Sequence, residues 1–396
     1  MTQLADEAYR YRALDAWRGI CALLVAFVHV PVAHAWQSAN VFHSMQLFVD
    51  FFFVLSGFVI CHAYGGRLQN GGNWRGFMIR RFGRVYPLHI VVLGGFVALE
   101  LVKTAAGFIM PVQLDGVPFT GHRSIETLIS NLLLTQSFGL HGMTSWNGPA
   151  WSIGVEFYSY AVFAIAVLLV GRSSLWFAAL AGAGLAVMAA FSPIWLFATH
   201  DYGFWRCLYG FFLGCLVCNA IGAARVVPVV NRFAPVGTRV EIAAVAALAA
   251  YIAATGIDAT SLAAPVVFAG IVFVFAFERG AISRLLLTAP AQALGMWSYS
   301  IYMVHMLIFA VLKIAMSLLA KVPALGISAP VSEPVKLWTL GSPAGDAVLV
   351  AVYLGLVLIV SKITFERVEA PARAWFARLA DRVSAERRQV RFTIAA

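Results

Sequence analysis

The sequence predicts an all-α, polytopic integral membrane protein with about ten transmembrane helices and both termini in the cytoplasm. Composition is the first reason: 61% of the 396 residues are apolar and 12% are charged, whereas a water-soluble domain is about half apolar and a quarter charged. The second is length. The apolar residues fall in runs of roughly 18 to 24, enough for a helix to cross about 30 Å of hydrocarbon. Helices satisfy their own backbone there, and the alternating ten-residue pattern of a membrane barrel is missing. The third is charge placement. With both termini inside, the inner segments hold 22 of the 28 Lys and Arg residues, as the positive-inside rule requires.

Spans are expected at 18–36, 43–64, 84–106, 150–170, 174–191, 203–223, 239–256, 262–278, 296–319 and 346–365. The outer segments hold Lys103, Arg123, Arg206, Lys321 and Lys336, and Lys313 lies within the ninth span. Two outer connections are long. The first, 107–149, contains SIETLISNLLLTQSF, which fits an interfacial helix capped by Ser124. The second, 320–345, carries Pro323, Pro330, Pro334 and Pro343 and is expected to be irregular. Each either shapes an outward-facing mouth or is a passive connection. The domain plan is a single transmembrane unit over 1–373, followed by a basic cytoplasmic tail over 374–396. The tail either lies on the inner surface as an amphipathic helix or stays solvated.

The net charge of +10 follows from topology and attraction to anionic lipid, so the bilayer is the partner it implies and nucleic acid is not. Five cysteines, all in apolar runs, give no disulfide framework; Cys215 and Cys218 form a CxxC inside the sixth span and read as packing. Arg10, Arg12, the following apolar run and AHA at 33–35 imitate a signal peptide. The first span is nevertheless expected to be retained.

Ionisable residues inside spans are costly, so each is a functional candidate. In RGICALLVAFVH, Arg18 and His29 are eleven residues apart, close to three full turns, which puts them on one helix face about 16 Å apart. Arg18 is expected at the cytoplasmic edge and His29 just beyond the midplane, with Pro31 bending the end. Asp50, in VDFFFVLSGF, and Glu156, in WSIGVEFYSY, fall by depth in the same outer-middle layer. A carboxylate beside an imidazole fixes its tautomer and raises its basicity, so the three together read as a general-base site, with Asp50 or Glu156 orienting His29. Glu156 is favoured, because Ser152 lies one turn away. At the inner start of the third span, Arg80, Arg81 and Arg84 cover one side of a helix and suit phosphate. Tyr299, Tyr302 and His305 in the ninth span read as hydrogen bonding within the bundle. His34 and His43, in the first outer loop, take no role. The sequence has no HExxH, Walker loop, GxSxG or dense metal cluster, so no metal is expected.

Six stretches in order, LDAWRGICALLVAFVH, VDFFFVLSGFVI, RRFGRVYPL, WSIGVEFYSY, YSIYMVH and FERVEAPAR, resemble the acyltransferase-3 family of membrane-bound O-acyltransferases, from residue 14 to about 373. The resemblance implies transfer of an acyl group, usually acetyl, from cytoplasmic acetyl-CoA or another acyl-CoA to a hydroxyl, most often on a carbohydrate outside or at the bacterial inner membrane. It maps the family's arginine–histidine signature onto Arg18 and His29, its RxxR signature onto Arg81 and Arg84, and its acidic positions onto Asp50 and Glu156. Catalytic roles are thus expected for His29, Glu156 and Asp50, and acyl-CoA binding for Arg18, Arg81 and Arg84. Direct attack and an acyl-histidine intermediate are both open. LDAWRG departs slightly from the usual glycine–aliphatic start, the tail runs past the common end, and the fused esterase-like domain of some members is not seen. The rival function is a transporter of a polysaccharide precursor or small solute, with His and Asp as a proton relay. It leaves the arginine cluster unexplained.

Overall fold

The computed structural model describes residues 10–32, 40–109, 117–226, 237–320 and 338–395. His34, the AHA stretch, Lys321, Lys336 and the prolines at 323, 330 and 334 lie outside them. The described residues form no strand; one isolated bridge joins Val32 to Trp338. The helices of eight residues or more are α1 (Arg12–Val28), α2 (Phe48–Ile60), α3 (Trp74–Ile109), α4 (Ile125–Leu132), α5 (Ala150–Val170), α6 (Ser174–Phe191), α7 (Gly203–Val226), α8 (Gly237–Ala254), α9 (Ala264–Phe275), α10 (Ala289–Leu319), α11 (Pro343–Thr364) and α12 (Ala370–Ala395). Eight described helices are long and apolar enough to cross a membrane. The other two expected spans are 17-residue helices, α1 and the Ala259–Phe275 segment that contains α9. The protein is an all-α, multi-pass membrane protein.

Three of the departures from the expected boundaries bear on the site, and each has a physical reason. The helix expected over 18–36 runs over Arg12–Val28, with His29 as its C-cap. Pro31 has no N–H to carry the helix onward, and the chain instead bonds Trp338 N–H to Pro31 carbonyl (2.9 Å). Arg18 therefore lies about 9 Å inside the helix, and His29 sits at its far end rather than near its middle. Helix α3 starts at Trp74, ten residues before its apolar part, so the arginines lie within a helix and not at its start. At 36 residues it is about 54 Å long and exceeds the hydrocarbon thickness. The last span passes through a π-helical turn, Phe365–Glu369, into α12.

The tail helix packs against the charged half of α3. Phe376 meets Phe82 edge to face at 5.7 Å, Asn73 bonds the Val383 carbonyl at 3.2 Å, Arg80 pairs with Asp381, and Ala380 is fully buried. Arg80 is thereby occupied by the tail. The long connection 117–149 is also packed. Ser124 caps α4, accepting Thr127 N–H at 3.3 Å. The buried carboxylate of Glu100 receives Lys103 (2.9 Å), Arg123 (2.5 Å) and Phe119 N–H (3.2 Å), so two of the outer basic residues are ion-paired. Asn147 reaches across to the Met303 carbonyl (3.1 Å).

Helices α1 and α10 pack along one another through two small residues. A Cβ on Gly19 would run into the backbone of Leu294, and one on Gly295 into that of Asp15. Such close backbone approach is how helices associate in a bilayer, where apolar side chains gain little by leaving lipid. The contact sets the register between the two helices, and with it the placing of Arg18 against Ser298 and of His29 against His305.

Candidate active site

A cavity of about 120 Å³ opens between α1, α2, α3, α5 and α10, with Arg18, Arg81, Arg84, Glu156, Tyr160 and Tyr299 among its lining residues. Three of the four helices that carry expected site residues thus bring them to one place: α1, α3 and α5. The three arginines are not equivalent. Arg18 donates from Nε to Ser298 Oγ (2.8 Å) and from Nη2 to the Gly295 carbonyl (3.2 Å), with Asp15 at 3.5 Å. Arg84 is ion-paired with Glu369, a carboxylate only 2% exposed that also accepts Ser300 Oγ at 2.9 Å and faces Arg373 at 3.6 Å. Arg84 also lies over the Tyr299 ring, 5.1 Å from its centroid. Arg81 donates to Tyr64 Oη (3.2 Å) and lies over that ring at 5.0 Å, and its buried Nε has no hydrogen-bond partner among the described residues. Among the described residues no carboxylate pairs with Arg81, so it is the cation here whose charge is least answered.

Both partners come from π-helical turns. Tyr64 lies in Cys61–Gly65, just after α2, and Glu369 in Phe365–Glu369. A π turn inserts a residue into the helical register and re-aims the side chains that follow, which is why such turns gather at functional sites. The sequence contains both residues but no signal for the turns, and Glu369 was legible only as part of FERVEAPAR.

His29 stands at the other end of α1. Its Nδ1–H donates to the Val25 carbonyl at 2.8 Å, and its ring lies 5.1 Å from that of His305. The carbonyl bond fixes the tautomer and leaves the Nε2 lone pair for chemistry. Neither expected carboxylate performs that task. Asp50, fully buried, is held by Arg206 through two parallel bonds, Nε to Oδ1 at 2.9 Å and Nη2 to Oδ2 at 2.7 Å. Glu156 faces the arginine cavity. Ser152, expected to hold Glu156, instead donates to the Pro149 carbonyl (3.1 Å) and bonds Tyr302 Oη (2.8 Å). Equal depth in the bilayer does not give equal position around the bundle, and depth was all the sequence supplied. Arg206, one of the outer basic residues by position along the sequence, falls inside the sixth span, where the cost of a charge that marks Asp50 as a candidate applies equally.

Between cavity and histidine runs a short aromatic path. Tyr302 lines the cavity, and its ring is 5.9 Å from His305, which in turn neighbours His29. The described residues contain no group of three or more His, Cys, Asp or Glu able to hold a metal. An anion fits the arginine end by the chemistry of its donors. The unanswered Arg81 and its orphaned Nε are what a phosphate would satisfy.

The acyltransferase-3 family model, described as an acyltransferase domain, matches residues 11–365. Protein 2 in the picA locus of Rhizobium radiobacter is 33% identical over 174 residues, which are 41% of this chain and 85% of that protein. Acyltransferase MdmB of Streptomyces mycarofaciens is 27% identical over 199 residues, 47% of each chain; the present chain thus spans about half of MdmB. No solved structure matches. The chain belongs to the acyltransferase-3 family and is a multi-pass membrane acyltransferase, with an acyl donor and an acceptor as its substrates.

Proposed function

We propose that the protein takes an acyl group, acetyl in the simplest case, from acyl-CoA at the cytoplasmic face of a bacterial inner membrane. It delivers that group to a hydroxyl of a cell-envelope or exported carbohydrate on the other side. The observation that carries this reading is the polarity of α1. One part of the helix meets a cavity of arginines, and its far end presents a tautomer-fixed imidazole, eleven residues or about 16 Å from Arg18. The acetyl, carbohydrate and inner-membrane assignments are supported by the family's usual chemistry and by the basic-residue asymmetry of the sequence.

In this reading Arg81 and Arg18 hold the phosphates of the donor, and Arg84, tied to Glu369, shapes the cavity floor. His29 Nε2 removes the proton of the acceptor hydroxyl as its oxygen attacks the thioester carbonyl. The new O–C bond forms, the C–S bond breaks, and the proton passes to the departing thiolate. Val25 O, which binds Nδ1–H throughout, stabilises the imidazolium formed on the way.

The test is sidedness. In sealed vesicles of one verified orientation, acetyl-CoA is expected to be consumed only from the cytoplasmic face, and an impermeant glycan acceptor acetylated only on the opposite face. Full-rate reaction of donor and acceptor supplied together on the cytoplasmic face, with none across the membrane, would overturn the proposal. The arginines give a second expectation. Phosphate contacts act on the ground state, so Arg81→Ala should raise the KM for acyl-CoA with little change in kcat, and lysine should rescue only in part. Arg84→Ala takes the nearer cation from buried Glu369, leaving it Ser300 and Arg373 at 3.6 Å, and should lower thermal stability as well. Steady-state kinetics with a melting curve for each variant separates the two. If Arg81→Ala leaves KM unchanged, Arg81 is only a topological anchor.

A further inference from the structure

The geometry points to a second imidazole serving the first: we propose that His305 is a positioning residue that shares the proton of His29 during transfer. The inference rests on the reading of His29 as the base. His305 lies on α10 and is fully buried. Its Nδ1–H donates to the Ile301 carbonyl at 3.3 Å, and its Nε2 is buried with no hydrogen-bond partner among the described residues. Its ring centroid is 5.1 Å from that of His29, with the planes inclined at 50°.

Both histidines thus follow one local rule. Each spends Nδ1–H on the carbonyl four residues earlier in its own helix, so each keeps its Nε2 lone pair. Such a lone pair, dry and unanswered, is costly unless a proton reaches it at some stage. The neighbouring groups do not answer it. Tyr302, 5.9 Å away ring to ring, has its hydroxyl on Ser152 and the Pro149 carbonyl. Tyr353 on α11 donates to the His305 backbone carbonyl at 3.3 Å, not to the ring. The Asp50 carboxylate is occupied by Arg206, and Glu156 faces the arginine cavity. The register that brings the two rings together is built lower in the same helix pair, where Gly19 meets Leu294 and Arg18 bonds Ser298.

The step balances without another reagent. The acceptor O–H bond breaks and its proton moves to His29 Nε2, the O–C bond forms, and the thioester C–S bond breaks. While His29 is cationic, its Nε2–H donates to His305 Nε2. The proton then leaves for the thiolate, giving the free thiol of CoA and restoring two neutral imidazoles. His305 touches neither the donor nor the acceptor in this scheme; it acts by holding the imidazolium in place.

The test compares His305→Met, which fills the space without an acceptor of comparable strength, with His305→Gln, whose Oε1 supplies one. Both are made in the full-length protein. For methionine, kcat is expected to fall about 10- to 100-fold, the rate equivalent of one hydrogen bond to a charged group, with the KM for acyl-CoA and the melting temperature held. Glutamine should recover most of the loss. Equal impairment of both variants, unchanged kcat in the methionine variant, or a loss confined to KM or melting temperature overturns the inference. His29→Ala run beside them separates the two proposals. If it is inactive while His305→Met turns over normally, only the shared proton is wrong; if it is active, the base assignment falls first.

Discussion

Replacing His29 with alanine is expected to lower kcat by about 10² to 10⁴, the usual contribution of a general base, while acyl-CoA binding and membrane insertion survive. The separation of roles follows from position. His29 is the C-cap of α1, and its backbone N–H, which closes the helix on the Ala26 carbonyl at 3.1 Å, is untouched by the substitution. The side chain contributes one bond to Val25 and a ring contact with His305, neither of which holds α1 against the bundle. That work belongs to the buried stripe Ala13, Leu14, Trp17, Cys21 and Val25, and to the Gly19–Leu294 approach. Donor binding is remote, because the arginine cavity lies about three turns below. Single-turnover rates of purified variant, with acyl-CoA affinity measured by thermal stabilisation, read the two effects apart. Near-normal turnover by His29→Ala would falsify the base assignment.

The comparison of sequence with structure shows which kinds of position a sequence fixes. Apolar length is a property of a segment, so α2, α5, α6, α7 and α10 were legible from hydropathy alone. Helix α3 was legible only in its apolar part, since Trp74–Gly83 is amphipathic and binds the tail instead of lipid. The end of α1 was mislaid because apolar residues continue past Pro31, and hydropathy does not register a missing N–H. The site divided along the same line. Arg18, Arg81 and Arg84 come together in one cavity, as their expected place at the inner edge allowed, and Glu156, expected in the outer-middle layer, joins them there. The pairings did not follow from depth. Asp50 meets Arg206 across 156 residues, and Arg84 meets Glu369 across 285. Such pairs depend on rotation about the helix axes and on two π turns, and one sequence encodes neither in a readable form.

The pair between Asp50 and Arg206 has a large measurable consequence of its own. Arg206→Ala is expected to destabilise the protein by about 3–5 kcal/mol, the cost of leaving one member of a buried ion pair alone. Asp50 is 0% and Arg206 2% exposed, and among the described residues the carboxylate has no second cation on which to fall back. The arginine is better insulated from loss of its partner. It also donates to the Ala198 carbonyl at 3.2 Å and lies 5.1 Å from the centre of a Trp151 ring, so Asp50→Asn should cost less than Arg206→Ala. Removing both charges together, as Asp50→Asn with Arg206→Ala, takes away the desolvation penalty along with the attraction. The double variant should therefore be more stable than Arg206→Ala and far from the sum of the single effects, as expected for residues in direct contact. Denaturation midpoints for the singles and the double form the cycle. A catalytic Asp50 predicts something different: Asp50→Asn would then lose kcat with its midpoint unmoved. If that is the result, the pair with Arg206 is a resting contact and Asp50 returns to the transfer site.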